Sequence, residues 1–364
     1  MAVASALAGQ AAAAKKPEAN LPQRGQMNRG RDEPILDAGR PVIDSHHHLY
    51  VRPGVKYLQD EYLQDTRAGH HIVASVYIET NAFARPDGPE ILRPLGEVEF
   101  ANGIGAMAAG GYSADNHICS AIIGHADLRH GAAVGDYLDA AVQRAPERFR
   151  GIRQGANYHP DAAPYRYMPA RPPAGLLMDP RFRTGFRQLA QRDLLFEAGV
   201  FHLQLPELAS LADAFPSTTI IINHAAPAVA MGVSPSQRRA VFTEWQKALR
   251  HIALRPNVLC KISGLGLPFW GFGFEKRTDV ISYTELAGAW RPYVLTVLDI
   301  FGAERCMAGS DYPPDGLSAG FVPLWNAFKY ITQAASEDEK HAFFCATAAR
   351  VYQIPWPRQA GGRW

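Results

Sequence analysis

The chain is expected to fold as a parallel α/β protein whose eight strands close into one (β/α)8 barrel. Three observations carry this expectation. Apolar strand-like runs and helical stretches alternate eight times, the pattern of repeated β-α units. The units occupy about 270 residues, close to the ~250 typical of such barrels. Nearly every strand-like run ends in an ionisable side chain, and in a barrel all C-terminal strand ends meet at one mouth, where active sites are built. A doubly wound sheet is the alternative, but no G-x-G-x-x-G turn follows the first strand.

The first strand is Val42-Ile43-Asp44-Ser45-His46-His47-His48, broken by Pro53-Gly54. A polar loop is expected from Val51 to Gly69. The β-branched run Ile72–Glu79 is the second strand, followed by a helix over Gly96–Gly110. Ile118–Asp127 is the third strand and Ala132–Gln143 its helix. Phe149–Gln154 is a short fourth strand, and a long Pro- and Tyr-rich loop follows, Asn157–Met178. Asp179-Pro180 opens the next helix, an N-cap followed by proline at the first helical position. Leu194–His202, Thr219–His224, Asn257–Gly264 and Arg305–Asp311 read as strands five to eight. Helices over Pro206–Phe215, Ser236–Leu254 and Tyr283–Phe301 separate them. The last should be two pieces, because Pro292 lies near its middle. The remainder is helical to about Tyr352.

Composition sets bounds. Of 364 residues, 47% are hydrophobic and 20% charged, enough to bury a large core. The net charge of +2, without a basic block, gives no support for nucleic acid or a membrane surface as partner. No apolar run approaches the ~20 residues that span a bilayer. The four cysteines have no metal-ribbon or redox spacing and read as reduced core residues. Residues 1–40 form a polar, Ala- and Pro-containing extension expected to be disordered or loosely attached, ahead of a barrel over 41–355. Within it, Ala2–Ala14 has the look either of the back half of an export signal without its basic start or of a plain Ala-rich tail. The expected location is cytoplasmic, with periplasmic as the alternative. A homo-oligomer is compatible with the sequence.

Strand side chains alternate faces, so Asp44, His46 and His48 are expected on one face and Ser45 and His47 on the other. Two imidazoles at i and i+2 can bind one metal ion. Beyond them, the strand ends carry Glu79, His125, Arg153, His202, His224, Lys261 with Ser263, and Asp311. Buried charges are costly unless paired, hydrogen-bonded or metal-bound, so so many at strand ends are hard to explain as packing.

These residues, with Gly151-Ile152-Arg153-Gln154, Phe201-His202-Leu203-Gln204-Leu205-Pro206, Asn223-His224, Pro256–Leu265 and Phe301–Pro313, give a pattern that resembles the amidohydrolase superfamily in its lactonase-like branch. The resemblance runs from about Pro41 to Tyr352. It implies a hydrolase with one divalent ion, Zn by expectation, or a metal-independent relative. It places His46, His48 and Asp311 beside a catalytic water, with His202 and His224 as the histidines of strands five and six. The chain departs from the binuclear pattern: strand four ends in Arg153, which cannot be carbamylated as a bridging lysine can.

The expected metal ligands are therefore His46, His48, His202 and Asp311. Asp311 is the general base, since a carboxylate beside a metal-activated water can take its proton. His224 polarises the substrate carbonyl, shuttles a proton, or is a hydrogen-bonded core residue. Arg153 forks onto a substrate oxygen or pairs with Glu79. Glu79, Lys261 and His202 complete the substrate-binding set. The loop Leu265–Arg277, with Phe269, Trp270, Phe272 and Phe274, and the Tyr165-Arg166-Tyr167 stretch are expected over the mouth. The reading is a lactonase that opens a sugar-acid or aromatic-degradation lactone. A Zn-dependent decarboxylase and a non-enzymatic binding protein are the alternatives.

Overall fold

The computed structural model describes residues 30, 32–114 and 116–355. Its frame is a set of strands that begins with β1 (Val42–His47). A small antiparallel hairpin follows, β2 (Tyr50–Arg52) and β3 (Val55–Tyr57). The barrel continues through β4 (Ile72–Ile78), β5 (His117–His125), β6 (Phe149–Gly155), β7 (Leu195–Gly199), β8 (Ile220–Ile222), β9 (Val258–Ile262) and β10 (Cys306–Ala308). The eight-stranded sheet runs β1-β4-β5-β6-β7-β8-β9-β10, every ladder parallel. Parallel strands need crossovers, and helices supply most of them.

The two ends of this sheet meet. Beyond β10 the chain leaves the ladder, yet Asp311 N–H donates to the His46 carbonyl (2.8 Å) and His48 N–H to the Tyr312 carbonyl (2.7 Å). Gly309 permits the approach, because a Cβ there would lie 2.8 Å from the Cβ of His46. The barrel is nearly closed by this short seam.

Helices cover the outside: α1 (Gln59–Thr66), α2 (Leu95–Ala109), α3 (Val134–Arg144), α4 (Pro180–Ala190), α5 (Leu205–Ala214), α6 (Pro235–Ile252), α7 (Tyr283–Phe301), α8 (Phe321–Ile331), α9 (Glu337–His341) and α10 (Thr347–Val351). Asp179 caps α4 as expected, accepting from the backbone N–H of Arg181 (2.7 Å) and Phe182. Inside the barrel, Ile43, Val76, Ile123, Ile221, Leu259 and Met307 form one apolar cluster, joined by Cys345, Ala348 and Tyr352 from the C-terminal segment. All four cysteines are free and buried, as expected.

Three expectations are corrected. The stretch Val51–Gly69 is not a polar loop: it forms most of the hairpin and all of α1, because Val55, Tyr57, Tyr62 and Leu63 are buried against the core. Helix α7 is unbroken at Pro292. That proline lies on the exposed face, where water can serve the Gly288 carbonyl it leaves without a helical partner. Residues 32–40 are docked rather than loose. Leu36 N–H donates to Asn326 Oδ1 (2.8 Å), Asn326 Nδ2 to the Pro34 carbonyl (2.9 Å), and Lys329 Nζ to the Asp37 carbonyl (2.9 Å). The rest of the expected extension, including Ala2–Ala14, lies outside the described residues. Among the described residues, no helix is long and apolar enough to cross a membrane.

Lys329 Nζ also lies 3.0 Å from His70 Nδ1, whose other nitrogen faces the Val322 carbonyl (3.2 Å). Burial, with the Lys329 charge adding to it, lowers the His70 pKa to about 3. The unfolded chain, with histidine near 6.5, therefore binds the extra proton between those values, and stability falls as pH drops through that window. From pH 7 to 5, His70 should cost about 2 kcal/mol of stability. Urea denaturation of His70→Gln at both pH values should show an acid loss smaller than wild type by that amount. Equal losses would contradict the assignment.

Candidate active site

The site grows from the seam between β1 and β10. The register of β1 against β4 shifts between Asp44 and His47, so the two-residue alternation expected there does not hold throughout. Ile43 belongs to the barrel interior. Asp44 instead faces the outer layer, where its carboxylate accepts from the Tyr62 hydroxyl (2.9 Å), the Ser310 backbone N–H (2.8 Å) and the Ser310 hydroxyl (2.6 Å). His47 turns outward as well, 2.9 Å from Ser75 Oγ and stacked on Tyr62. His46 and His48 are left pointing into the mouth. Asp44 is thus not a site group. It grips Ser310, the residue before Asp311.

Three imidazoles converge on one carboxylate oxygen. His48, His46 and His224 bring Nε2 to 3.3, 3.5 and 3.8 Å from Asp311 Oδ1. Each ring is anchored or packed from behind. His48 Nδ1 lies 2.9 Å from the Ile78 carbonyl, and His224 Nδ1 lies 3.0 Å from Ser263 Oγ. His224 and Asp311 both have left-handed backbone (φ 52° each), which turns their side chains out of the strand direction into the mouth. Gly264 (φ 63°) makes room, because a Cβ there would strike the His224 ring at 2.4 Å.

Burial keeps these rings neutral. It lowers the His48 pKa to about 3, with the Arg153 charge adding to it. It lowers His224 to about 4 against the opposing pull of Asp311, and holds His46 well below its ordinary value, helped by Lys261. Burial raises the Asp311 carboxyl, against the pull of His224 and Arg153, which makes it a better base. Beneath it lies a second buried carboxyl, Asp315. Burial and the Asp311 charge push the Asp315 carboxyl well upward. Its Oδ2 accepts from Gly266 N–H (3.1 Å), tying the loop after β9 to the loop after β10.

Neutral imidazoles with a carboxylate are a donor set for a divalent cation. His46, His224 and Asp311 offer ligand atoms within 4.8 Å of one another. Ligand atoms about 2.1 Å from a shared tetrahedral ion stand roughly 3.4 Å apart. The 3.5 and 3.8 Å separations of His46 and His224 from Asp311 Oδ1 fit that geometry, and His48, 3.3 Å from the same oxygen, lies beside that group of three.

Arg153 borders the set, Nη1 lying 3.3 Å from His46 Nε2. Its other contacts are spent on Glu79: Nε donates to Oε1 (2.8 Å) and Nη2 to the Glu79 carbonyl (2.7 Å). The second Glu79 oxygen accepts from Asn81 (3.0 Å). Burial opposes the charge of Glu79, but Arg153 and His125 outweigh it and hold the carboxyl below its usual range. Glu79 is thus held by Arg153 and Asn81.

Two expected residues stand apart from the histidine group. Lys261 is fully buried and donates to both oxygens of Glu197 (2.7 and 2.8 Å), which also accepts from Tyr352 and Asn223. Lys261 meets Glu197 and acts on the histidine group through its charge. Burial, against the pull of Glu197, lowers its pKa to about 8. His202 is not brought to Asp311. It sits in the turn before α5 with Nδ1 3.3 Å from the Pro227 carbonyl, and His224 stands in the group in its stead. Glu197 and Asp315 were missed in the sequence. A carboxylate inside the apolar run Leu195-Phe196-Glu197-Ala198 was the available signal for the first.

The two loops expected over the mouth meet there in part. Phe269 packs edge-on to Phe201 (5.2 Å between ring centres) beside Val229, with Tyr167 and Met168 against this cluster. Trp270 turns outward instead, donating to the Gly264 carbonyl (2.9 Å) and packing on Trp245 and Tyr293.

The profile of the family described as Amidohydrolase (Amidohydro_2) matches residues 43–354. Uncharacterized protein y4mH of Sinorhizobium fredii is 33% identical over 337 residues, 86% of this chain and 98% of its own length. An L-fucono-1,5-lactonase of Burkholderia ambifaria is 30% identical over 243 residues, 65% of this chain and 72% of that protein. A solved amidohydrolase structure from Burkholderia multivorans with bound Zn has the same fold, with a TM-score of 0.64 at 23% identity over 86% of this chain and 99% of that one. The chain belongs to the amidohydrolase family and is a hydrolase.

The floor of the site can be tested apart from catalysis. Lys261→Met leaves Glu197 as an unpaired buried charge, and breaking such a pair costs roughly 3–5 kcal/mol. The urea midpoint should fall accordingly, and adding Glu197→Gln should recover most of the loss. A single variant as stable as wild type would mean the pair is not needed to hold the barrel interior.

Proposed function

We propose that this hydrolase is a lactonase with one divalent ion, zinc by preference, held by His46, His48, His224 and Asp311. The observation that carries the reading is the convergence of three neutral imidazoles on Asp311 Oδ1, at the mouth of a barrel related to an L-fucono-1,5-lactonase. The zinc-bound relative supports the choice of metal. When bound, the ion supplies Lewis acidity toward a carbonyl oxygen and acidifies water.

Charge accounting favours a single ion. The histidines are neutral, Arg153 is matched by Glu79 and Lys261 by Glu197, so Asp311 is the one anionic ligand of the set. One divalent ion leaves the centre at +1, whereas two would leave it at +3 in a buried site.

The chain's own groups account for the proton movements. Asp311 takes a proton as water adds to the lactone carbonyl carbon. Arg153 Nη1 faces the developing oxyanion, while His224 keeps the Nε2 lone pair for the ion in the tautomer whose Nδ1–H donates to Ser263 Oγ. Asp311 then returns the proton to the ring oxygen as the C–O bond breaks. The product hydroxy acid ionises, releasing one proton per turnover. The pairing of Arg153 and Lys261 with carboxylates favours an uncharged polyhydroxy lactone over a dicarboxylate.

A panel of sugar-acid lactones followed by pH indicator, with and without chelator, tests the reaction. Acid release at one proton per lactone is expected; an inert panel with CO₂ release from an aromatic acid would replace the reading with a decarboxylase. Elemental analysis should find at most about one divalent ion per chain, and two tightly bound ions would overturn the charge argument. Asp311→Asn should lower turnover about 10²–10⁴-fold, the usual scale of general base catalysis. Near-normal turnover would move the base role to His224.

A further inference from the structure

One buried carboxyl at the end of β4 takes no part in the proposed mechanism. Glu97 lies in the first turn of α2 and is 1% exposed. Its Oε1 accepts from the Tyr77 hydroxyl (2.8 Å), the Thr80 N–H (2.7 Å) and the Thr80 hydroxyl, and its Oε2 from the Asn81 N–H (3.0 Å). Every one of these donors lies between Tyr77 and Asn81, and none belongs to the helix that carries Glu97, so capping α2 gives no reason for the carboxyl. A buried carboxyl is costly unless its oxygens are satisfied, and here one short segment satisfies both. Asn81 has left-handed backbone (φ 61°), which asparagine tolerates. While its N–H meets Glu97, its side-chain amide turns back and donates to Glu79 Oε2 (3.0 Å). Glu79 in turn holds Arg153 through Oε1 and its carbonyl (2.8 and 2.7 Å), which leaves Arg153 Nη1 beside His46 Nε2. Helix, turn, carboxylate and guanidinium thus form one continuous chain of hydrogen bonds that ends at the site.

We propose that Glu97 is a positioning residue for Arg153: by fixing the Thr80–Asn81 turn it orients Asn81 on Glu79, and Glu79 then sets where Arg153 Nη1 points. The effect on turnover rests on the lactonase reading, in which Nη1 faces the developing oxyanion; the hold on Arg153 does not. Glutamine cannot replace the residue, because each oxygen of Glu97 accepts a backbone N–H. An amide has one acceptor oxygen, so its NH2 would confront the N–H of Thr80 or of Asn81 and displace the turn.

The test compares full-length wild type, Glu97→Gln and Asn81→Gly, the last breaking the same relay at a positive φ that glycine accepts. The Nε–H of Arg153, identified in 15N NMR spectra by its loss in Arg153→Lys, reports the hold without any substrate. In both variants its exchange with water should quicken about 10-fold, the scale of one lost hydrogen bond, while the Ile221 amide of β8 keeps its wild-type rate. Unchanged Arg153 exchange in either variant overturns the proposal. Equal quickening at Ile221 marks a general loss of stability and overturns it too. If Glu97→Gln fails to fold, Asn81→Gly decides by the same comparison. On the lactone that wild type opens best, both variants should lower kcat about 10-fold with KM within about twofold, the effect of a misplaced group. A lowered melting temperature with unchanged kcat is the signature of a structural carboxyl and overturns the proposal. If wild type opens no lactone, the lactonase reading has failed, and the exchange of the Arg153 signal alone decides.

Discussion

The structure depends on the contact between the first and last barrel strands. Two backbone hydrogen bonds, from Asp311 to His46 and from His48 to Tyr312, close the sheet. The same four residues include two of the three histidines of the site and its carboxylate. Closure and site assembly are therefore one event. Asp44 strengthens the seam from outside by binding Ser310 through backbone and side chain at once. Because a backbone N–H fixes each residue where its side chain works, the distances around Asp311 Oδ1 are set by barrel geometry more than by side-chain freedom.

Charge is managed in pairs around that seam. Arg153 and Glu79 neutralise each other at the rim, and Lys261 and Glu197 do so underneath. The second pair lies in the barrel interior, where Tyr352 and Asn223 fill the remaining acceptor sites of Glu197. Such satisfied pairs add little net stability but fix positions, because either partner alone would be expensive. Asp311 has no Arg or Lys partner among the described residues and is surrounded by rings that burial keeps neutral.

Much of this was legible in the sequence. The eight β-α alternations gave the barrel, and His46, His48, His224 and Asp311 each stood at the end of an apolar run. What escaped was non-local. The displacement of Asp44 from the mouth depends on a register shift between β1 and β4, which the two-residue period of one strand does not contain. His202 and His224 look alike as strand-end histidines, and only the turns that follow separate them: His224 has left-handed backbone, whereas His202 opens a 3-10 turn leading into α5. Lys261 looked like a mouth residue because its partner, Glu197, is 64 positions away. Pro292 misled because its cost depends on which side of the helix faces water.

The reach of Tyr352 into the barrel has a consequence for how the protein is made. A ribosome releases the chain from the N-terminus, so His46, His48 and His224 emerge long before Asp311, and Tyr352 comes later still. A nascent chain ending before residue 306 holds every histidine of the centre but lacks the carboxylate, the closing strand and the phenol that completes Glu197's partners. Its open sheet edges must wait, unpaired, until β10 and the segment through Tyr352 have emerged. Site assembly thus waits for the segment from β10 to Tyr352, and a chain that stops before it has the histidines without the carboxylate they converge on.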